Sequence, residues 1–239
     1  MRTHFIKLLT QRDRRPEVMD QQDLAVGKHE HALSGLSRIN FFSATAGSYL
    51  RALRALSSRS TPLRILDIAC GGGDVVRRLG QYGAKHGLPW HVAGCDLSSV
   101  AVEHARRKAI EEKVAVEYFV HDALAETPPG EYDAIICSLF LHHLEEPQAV
   151  RLLGLLAKTA GVRAIFISDL NRGLIGLALA HAACRLLTTS SVVHTDGPLS
   201  VRAAFTLAEA LAIADKARLH GVTIRRCWPC RWMMSWRRP

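Results

Sequence analysis

From residue 64 onward the chain alternates short apolar runs with amphipathic stretches, and this alternation constrains its fold more than any other feature. Residues 64–68, 91–97, 114–120, 132–138 and 162–168 read as five strands, each closed by a polar residue or a glycine cluster. Between them, 75–81, 100–112 and 147–159 carry helical spacing. Ser98 or Ser99 offers an N-cap for the second helix, and Pro147 stands where a first helical turn accepts proline. Strands alternating with helices form a parallel sheet covered on both faces and joined by right-handed crossovers.

After residue 170 the rhythm changes. Residues 173–187 and 201–219 read as two helical stretches separated by 188–200 with no strand between them, and Thr206 with Glu209 forms a capping-box pattern that starts a new helix. Residues 222–228 and 231–236 then pair as an antiparallel hairpin turned at Pro229. Residues 1–60 form a helical cap that belongs to the same domain and is placed to lie over the open end of the sheet. Residues 61–239 form the main domain, with a helical insertion at about 173–205. The expected architecture is α/β, with seven mostly parallel strands, a C-terminal antiparallel hairpin and an N-terminal helical lid.

A chain of 239 residues with 48% hydrophobic and 22% charged residues buries a full core as one domain. The net charge is +9, but the basic residues gather at the two ends, Arg12 to Arg15 and Arg225 to Arg238, as on solvated tails; nucleic acid is not the expected partner. The six cysteines are 70, 95, 137, 184, 227 and 230, four of them inside apolar runs, which suits a reducing, cytoplasmic setting. Cys227-Trp228-Pro229-Cys230 lacks the second pair that a structural zinc needs, so it reads as a turn and no metal is expected. Residues 1–9 have no apolar core of signal-peptide length, and 173–187, interrupted by His181 and Arg185, is shorter than the roughly 20 residues of a membrane span. Oligomeric state is not readable from this pattern.

In open parallel sheets, ligands bind outside the carboxyl ends of the strands. The polar residues at those ends are Asp67 to Asp74, Asp96, Asp122, Ser138 with His142 and His143, and Asp169. Gly71, Gly72 and Gly73 permit a tight turn and close backbone approach to a ligand. Asp96, 23 residues beyond Gly73, stands where a carboxylate accepts the hydrogen bonds of a ribose diol. This pairing fits any adenosine-containing cofactor. A dinucleotide would require a third glycine where Asp74 stands, and Asp74 repels phosphate. Asp67 instead suits the cationic amino end of an amino-acid cofactor, and no phosphate-cradling G-x-x-x-x-G-K-[ST] run is present.

The ordered motifs resemble those of class I S-adenosylmethionine-dependent methyltransferases. Residues 65–73, Ile-Leu-Asp-Ile-Ala-Cys-Gly-Gly-Gly, look like the family's first motif, with Ala69 in place of its first glycine, and Gly94-Cys95-Asp96-Leu97-Ser98 looks like the second. Asp122-Ala123 is similar to the adenine-binding pair, and Tyr132-Asp133-Ala134 followed by Ser138-Leu139 resembles the fourth strand and its substrate-facing turn. The likeness covers residues 63–170. It implies a Rossmann-like fold, S-adenosylmethionine as cofactor, and cofactor contacts at Asp67, Ala69, Cys70, Gly71, Gly73, Asp96, Leu97, Asp122, Ala123 and Ser138. More narrowly, the chain is similar to small bacterial methyltransferases of the ubiquinone-biosynthesis type and to relatives that modify phenolic or polyketide-like products. Residues 16–20, 38–40 and 196–206 carry that likeness without a derivable role.

The resemblance implies a small-molecule methyl acceptor, methylated on oxygen or carbon. A phenolic acceptor needs a base, and His142 or His143 is placed just beyond the fourth strand; adjacent residues are not expected to face one site together. Packing at a helix start is the competing reading for both, and His121, His181 and His194 are further candidates. Helix 173–187 reads as a core helix, or alternatively as the lining of an apolar acceptor pocket. Methylation of RNA or protein is the rival within the fold, although Ser138-Leu139-Phe140-Leu141 lacks the Asn-Pro-Pro-Tyr-like turn that reading calls for. A non-catalytic adenosine-ligand protein and a nicotinamide-linked oxidoreductase are the rivals from other classes.

Overall fold

The computed structural model describes residues 9–21 and 23–239; the expectation about a signal segment at the N-terminus falls mostly on residues 1–8, outside that range. A 3-10 turn at Val18–Asp20 precedes helices α1 (Val26–Phe42) and α2 (Thr45–Arg54). Then follow β1 (Leu63–Ile68), α3 (Asp74–Lys85), β2 (Trp90–Asp96), α4 (Ser99–Glu111), β3 (Glu117–Val120) and β4 (Ala134–Ser138). A second 3-10 turn, Leu141–His143, leads into α5 (Glu146–Lys158) and β5 (Ala164–Leu170). Helices α6 (Leu174–Leu187), α7 (Ser191–Ala203) and α8 (Leu207–Lys216) come before β6 (Thr223–Cys227) and β7 (Arg231–Arg237).

The seven strands form one sheet in the order β3-β2-β1-β4-β5-β7-β6, parallel through β5, with β7 antiparallel to both β5 and β6. The order reverses between β1 and β4, so the cleft at their carboxyl ends is where a ligand is expected. The strands alternate their side chains between two cores. Leu66, Ile68, Ile135 and Ile167 meet α5 and α8 on one face, while Ile65, Ile136 and Phe166 meet Tyr49 and Leu53 of α2, Leu79 of α3 and Val102 of α4 on the other.

Several sequence expectations need correction. The third strand starts at Glu117 rather than at 114, and β3 joins β4 through a loop, which breaks the strand–helix alternation once. The stretch 188–200 is mostly helix. Ser190 caps α7 by accepting from Val193 N, and the missing side chain of Gly197 lets α7 close against Cys184 of α6; Pro198 is tolerated inside. The last helix is only Leu207–Lys216, started by the expected Thr206–Glu209 capping box. Helix α6 is not a core helix. Its inward side is Gly176, Leu177 and Cys184, while Leu174, Ile175 and Leu186 are exposed. No single helix among the described residues is long and apolar enough to cross a membrane.

Candidate active site

At the end of β1 the chain reverses through residues 69–73 into α3. Ala69, Gly71 and Gly73 all take left-handed conformations, with φ of 53°, 51° and 69°. A Cβ on Gly73 would stand 2.5 Å from Tyr118 Oη, which donates to the Gly73 carbonyl at 3.0 Å, so glycine is required twice over, by conformation and by space. Ala69 accepts the same left-handed conformation with a side chain, at a cost of about 1–2 kcal/mol. Asp96 fastens this turn to β2: its Oδ2 accepts from Gly71 N at 2.8 Å and its Oδ1 from Ser98 N at 2.9 Å. Each carboxylate oxygen retains a lone pair for a ribose hydroxyl. Beside it Leu97 is 69% exposed, a bare apolar side chain where an aromatic base can stack. Asp122 is exposed and accepts from Leu124 N at 2.9 Å, while Ala123 and Cys70 are buried next to this loop and turn.

The turn concentrates negative charge in a dry place. Asp67 is 1% exposed and its Oδ1 has no hydrogen-bond partner; the Oδ2 of Asp74 has none either. Burial, reinforced by the charges of Asp74 and Asp96, pushes the Asp67 carboxyl well above the usual range. Asp74 and Asp96 are also raised, chiefly by burial. Asp74 opens α3 at its positive end and receives Asn40 Nδ2 at 3.4 Å, so the position a dinucleotide phosphate would take is held by a carboxylate. Nearby Arg77 is engaged by Glu112 at 3.0 Å and by the Gly72 carbonyl at 2.6 Å. Orphaned carboxylate oxygens in a buried turn favour a cationic ligand. Leu33 of α1 packs over Gly71 and Gly72, which places the N-terminal helices across this turn.

A second constellation stands at the carboxyl ends of β4 and β5. His142 is 3% exposed, and its Nδ1 donates to Asp169 Oδ1 at 2.7 Å while its backbone N–H donates to Asp169 Oδ2 at 3.1 Å. Burial alone would raise Asp169, but His142 and the Leu170 N–H hold its carboxyl below the usual range. A carboxylate only accepts, so the Nδ1 hydrogen bond places a proton on that nitrogen and leaves Nε2 as the outward-facing one. That nitrogen faces Glu17 Oε1 at 3.8 Å. His143 Nε2 faces the other Glu17 oxygen at 3.8 Å, and its Nδ1 donates to Asp20 at 3.1 Å. The 3-10 turn thus brings two adjacent histidines onto one carboxylate, their rings 4.4 Å apart, contrary to the expectation that neighbours point apart. Glu17, His142 and His143 each offer an atom within 4.8 Å of the others, so cation-binding geometry also exists here. Burial works against protonation of His143, yet the Asp20 hydrogen bond and the Glu17 charge prevail and lift it to about 9.

Ser138, between the two constellations, is tied to Tyr49, whose Oη stands 2.8 Å from Ser138 Oγ, donates to the Cys137 carbonyl at 2.8 Å and accepts from Ser168 N at 3.2 Å. The other candidate histidines stand elsewhere. His121 pairs with the Glu126 carbonyl at 3.3 Å, His194 with the Thr188 carbonyl at 2.8 Å, and His181 is exposed beside Arg185.

Sequence reading missed the partners of these residues. Glu17 and Asp20 come from a segment strapped across the site: Arg12 donates to the carbonyls of His142 and Leu144, and the N–H groups of Val18 and Met19 donate to Asp196. Residues 16–20, 38–40 and 196–206, which carried a likeness without a role, therefore have places here. Glu17 accepts from Ser200 Oγ at 2.6 Å, Asn40 reaches Asp74, and Asp196 anchors the strap. Polarity at 17 and 20 was the one signal available.

Residues 65–161 match the family described as a methyltransferase domain. The chain is 36% identical over 120 residues to the ubiquinone biosynthesis O-methyltransferase of Xanthomonas campestris, covering 49% of this chain and 47% of that protein. It is 34% identical over 145 residues to the Bordetella bronchiseptica protein of the same name, covering 59% and 52%. The chain spans about half the length of the curated relatives it matches. Among solved structures it is similar to a SAM-dependent methyltransferase from Aquifex aeolicus, with TM-score 0.61, 16% identity and coverage of 87% of this chain and 97% of that one. It also resembles the magnesium protoporphyrin IX methyltransferase of Synechocystis with bound SAM, with TM-score 0.56, 19% identity and coverage of 93% and 88%. Over residues 65–161 the chain thus matches a methyltransferase domain, and its motifs and sheet order are similar to those of class I S-adenosylmethionine-dependent methyltransferases.

Proposed function

We propose that this protein transfers a methyl group from S-adenosylmethionine to a hydroxyl of a small phenolic, quinone-like or polyketide-type acceptor. The observation that carries the reading is the pairing of two constellations at one end of the sheet: a glycine turn with orphaned buried carboxylates at Asp67 and Asp74, and a His142–Asp169 dyad whose Nε2 points away from the aspartate. The first suits the charge of a sulfonium amino acid. Asp96 would hold the ribose, Leu97 and the Asp122-Ala123 turn the base, and the residue 69–73 backbone the amino-acid end. When bound, the cofactor supplies an electrophilic methyl for in-line displacement.

The protein's own work is alignment, exclusion of water and movement of one proton. His142 Nε2 takes the hydroxyl proton, and buried Asp169 fixes the tautomer and stabilises the imidazolium that results. His143, protonated at neutral pH, holds Glu17 and Asp20 in place instead of serving as base. The basic ends of the chain support no nucleic-acid reading, and six free cysteines support a reducing, cytoplasmic setting.

Titration calorimetry with S-adenosylmethionine, S-adenosylhomocysteine and NAD tests the donor half, with the first two expected to bind and NAD to be silent. The reverse pattern contradicts the proposal. Transfer of labelled methyl to a panel of phenols and quinones tests the acceptor half.

A further inference from the structure

His142 and His143 each turn an Nε2 atom toward Glu17, at 3.8 Å from Oε1 and from Oε2. That spacing is too long for a hydrogen bond, and a donor atom from each of the three residues lies within 4.8 Å of the others. The second nitrogen of each ring is fixed by a carboxylate: His142 Nδ1 stands 2.7 Å from Asp169 Oδ1, and His143 Nδ1 stands 3.1 Å from Asp20 Oδ2. Glu17 is fixed as well, by Ser200 Oγ, which donates to its Oε1 at 2.6 Å. One ring nitrogen held by a carboxylate while the other points at a shared centre is the outer shell that orients metal-binding histidines. A plain ion pair between Glu17 and one imidazolium would draw an oxygen into hydrogen-bond range, and neither oxygen has closed on either ring. The charge agrees. Among the described residues, Glu17, Asp20 and Asp169 form ion pairs with these two histidines and with no lysine or arginine. Glu17 and His142 are buried, and His143 is half-buried, which leaves a side for entry.

We propose that Glu17, His142 and His143 bind one divalent ion of the zinc class, and that the bound ion blocks methyl transfer. Two imidazoles and one carboxylate suit zinc and its transition-metal neighbours, whereas magnesium and calcium ask for more oxygen ligands than these residues supply. With bonds of roughly 2.0–2.1 Å, the ligands of a tetrahedral zinc stand about 3.3 Å apart, so the Glu17 oxygens close on each histidine by about half an ångström. Entry of the ion displaces the proton that His143 carries at neutral pH. The blocking half of the inference rests on the proposed role of His142: its Nε2 is the atom assigned to the acceptor's hydroxyl proton, and a nitrogen that holds a metal has no lone pair for a proton. Metal occupancy and proton removal therefore exclude one another.

The test uses the full chain, stripped by a chelator, with Zn²⁺ and Co²⁺ as probes. A Cys227→Ser/Cys230→Ser background takes the thiols of the β6–β7 turn out of competition. One ion per chain is expected to remain in that background, and its Co²⁺ spectrum to lack a thiolate charge-transfer band. Glu17→Gln lowers the affinity by about a hundredfold or more, and Asp20→Asn, which leaves all three ligands in place, by about 10–100-fold. Zn²⁺ slows single-turnover transfer in the wild type by about a hundredfold, the lower end of what a general base supplies, and chelator restores it. In His143→Gln, compared with its own metal-free rate, the same zinc slows transfer by less than about twofold. Binding that vanishes with the two cysteines, binding unchanged in Glu17→Gln, or a zinc-loaded wild type that transfers at its metal-free rate or faster overturns the inference. A metal-free chain that methylates no phenol or quinone overturns the proposed function instead, and the Glu17→Gln affinity ratio still decides the metal site.

Discussion

The two halves of the site are built at different ranges. The proposed donor half is local: one strand, one turn and one helix supply Asp67 to Asp74, and the next strand adds Asp96, all within 30 residues of each other. The proposed acceptor half is assembled across the chain, since Glu17 meets His142 and Ser200, and Asp20 meets His143. A turn is specified by its own backbone conformations, whereas a strap is specified by the partners that hold it. The donor half should therefore fail abruptly under single changes, and the acceptor half by degrees.

The largest expected effect is at Gly73. Gly73→Val forces a β-branched side chain into a left-handed position against Tyr118 Oη, and should destabilise the protein by roughly 2–4 kcal/mol and eliminate adenosyl-ligand binding; calorimetry and thermal melts check both. A fully binding variant would show that the turn is not the cradle. Asp67→Asn separates stability from binding. Because the folded-state pKa is raised, ionised Asp67 opposes folding: the stability available below the ordinary carboxyl value is lost as pH rises through the elevated one. The amide should raise the melting temperature of the ligand-free protein at neutral pH while weakening S-adenosylmethionine binding about tenfold. Two effects of the same sign would contradict a charge kept for a cation.

In the acceptor half, His143 has a raised pKa of about 9, so the stabilisation from Asp20 and Glu17 is complete below the ordinary histidine value of 6.5 and disappears as pH passes about 9. The melting-temperature difference between wild type and His143→Gln should be present at pH 6 and gone by pH 10. A difference independent of pH would mean packing alone. The smallest effect is expected of Ala69→Gly, where relief of about 1–2 kcal/mol of left-handed strain is offset by roughly 0.5–1 kcal/mol of added unfolded-state entropy. A rise of a few degrees or less in melting temperature fits, and a clear fall would mean that the Ala69 methyl packs usefully.

Range also explains what was legible in the sequence. The glycines, Asp67 and the spaced Asp96 were readable because strand, turn and helix periodicities are local, and the same periodicity exposed the seven strands with their final hairpin, though not their order across the sheet. His142 and His143 were visible as residues beyond β4, but their partners were not, because Asp169, Glu17 and Asp20 reach them through tertiary packing. Helix α7 was hidden by Gly197 and Pro198, which are poor helix residues overruled by contact with α6. The apolar composition of α6 suggested burial, yet much of that surface faces outward. Arg231 looked like part of a basic tail and lies in the interior.

The central claim is that donor binding and proton removal reside in separate constellations. It is tested most directly by measuring single-turnover methyl transfer and S-adenosylhomocysteine affinity side by side in His142→Ala, using an acceptor that the wild type methylates. The account predicts transfer slowed by a hundredfold or more, on the scale of a lost general base of about 10²–10⁴, with affinity unchanged within about twofold. Unimpaired transfer, or a parallel collapse of affinity, would contradict it.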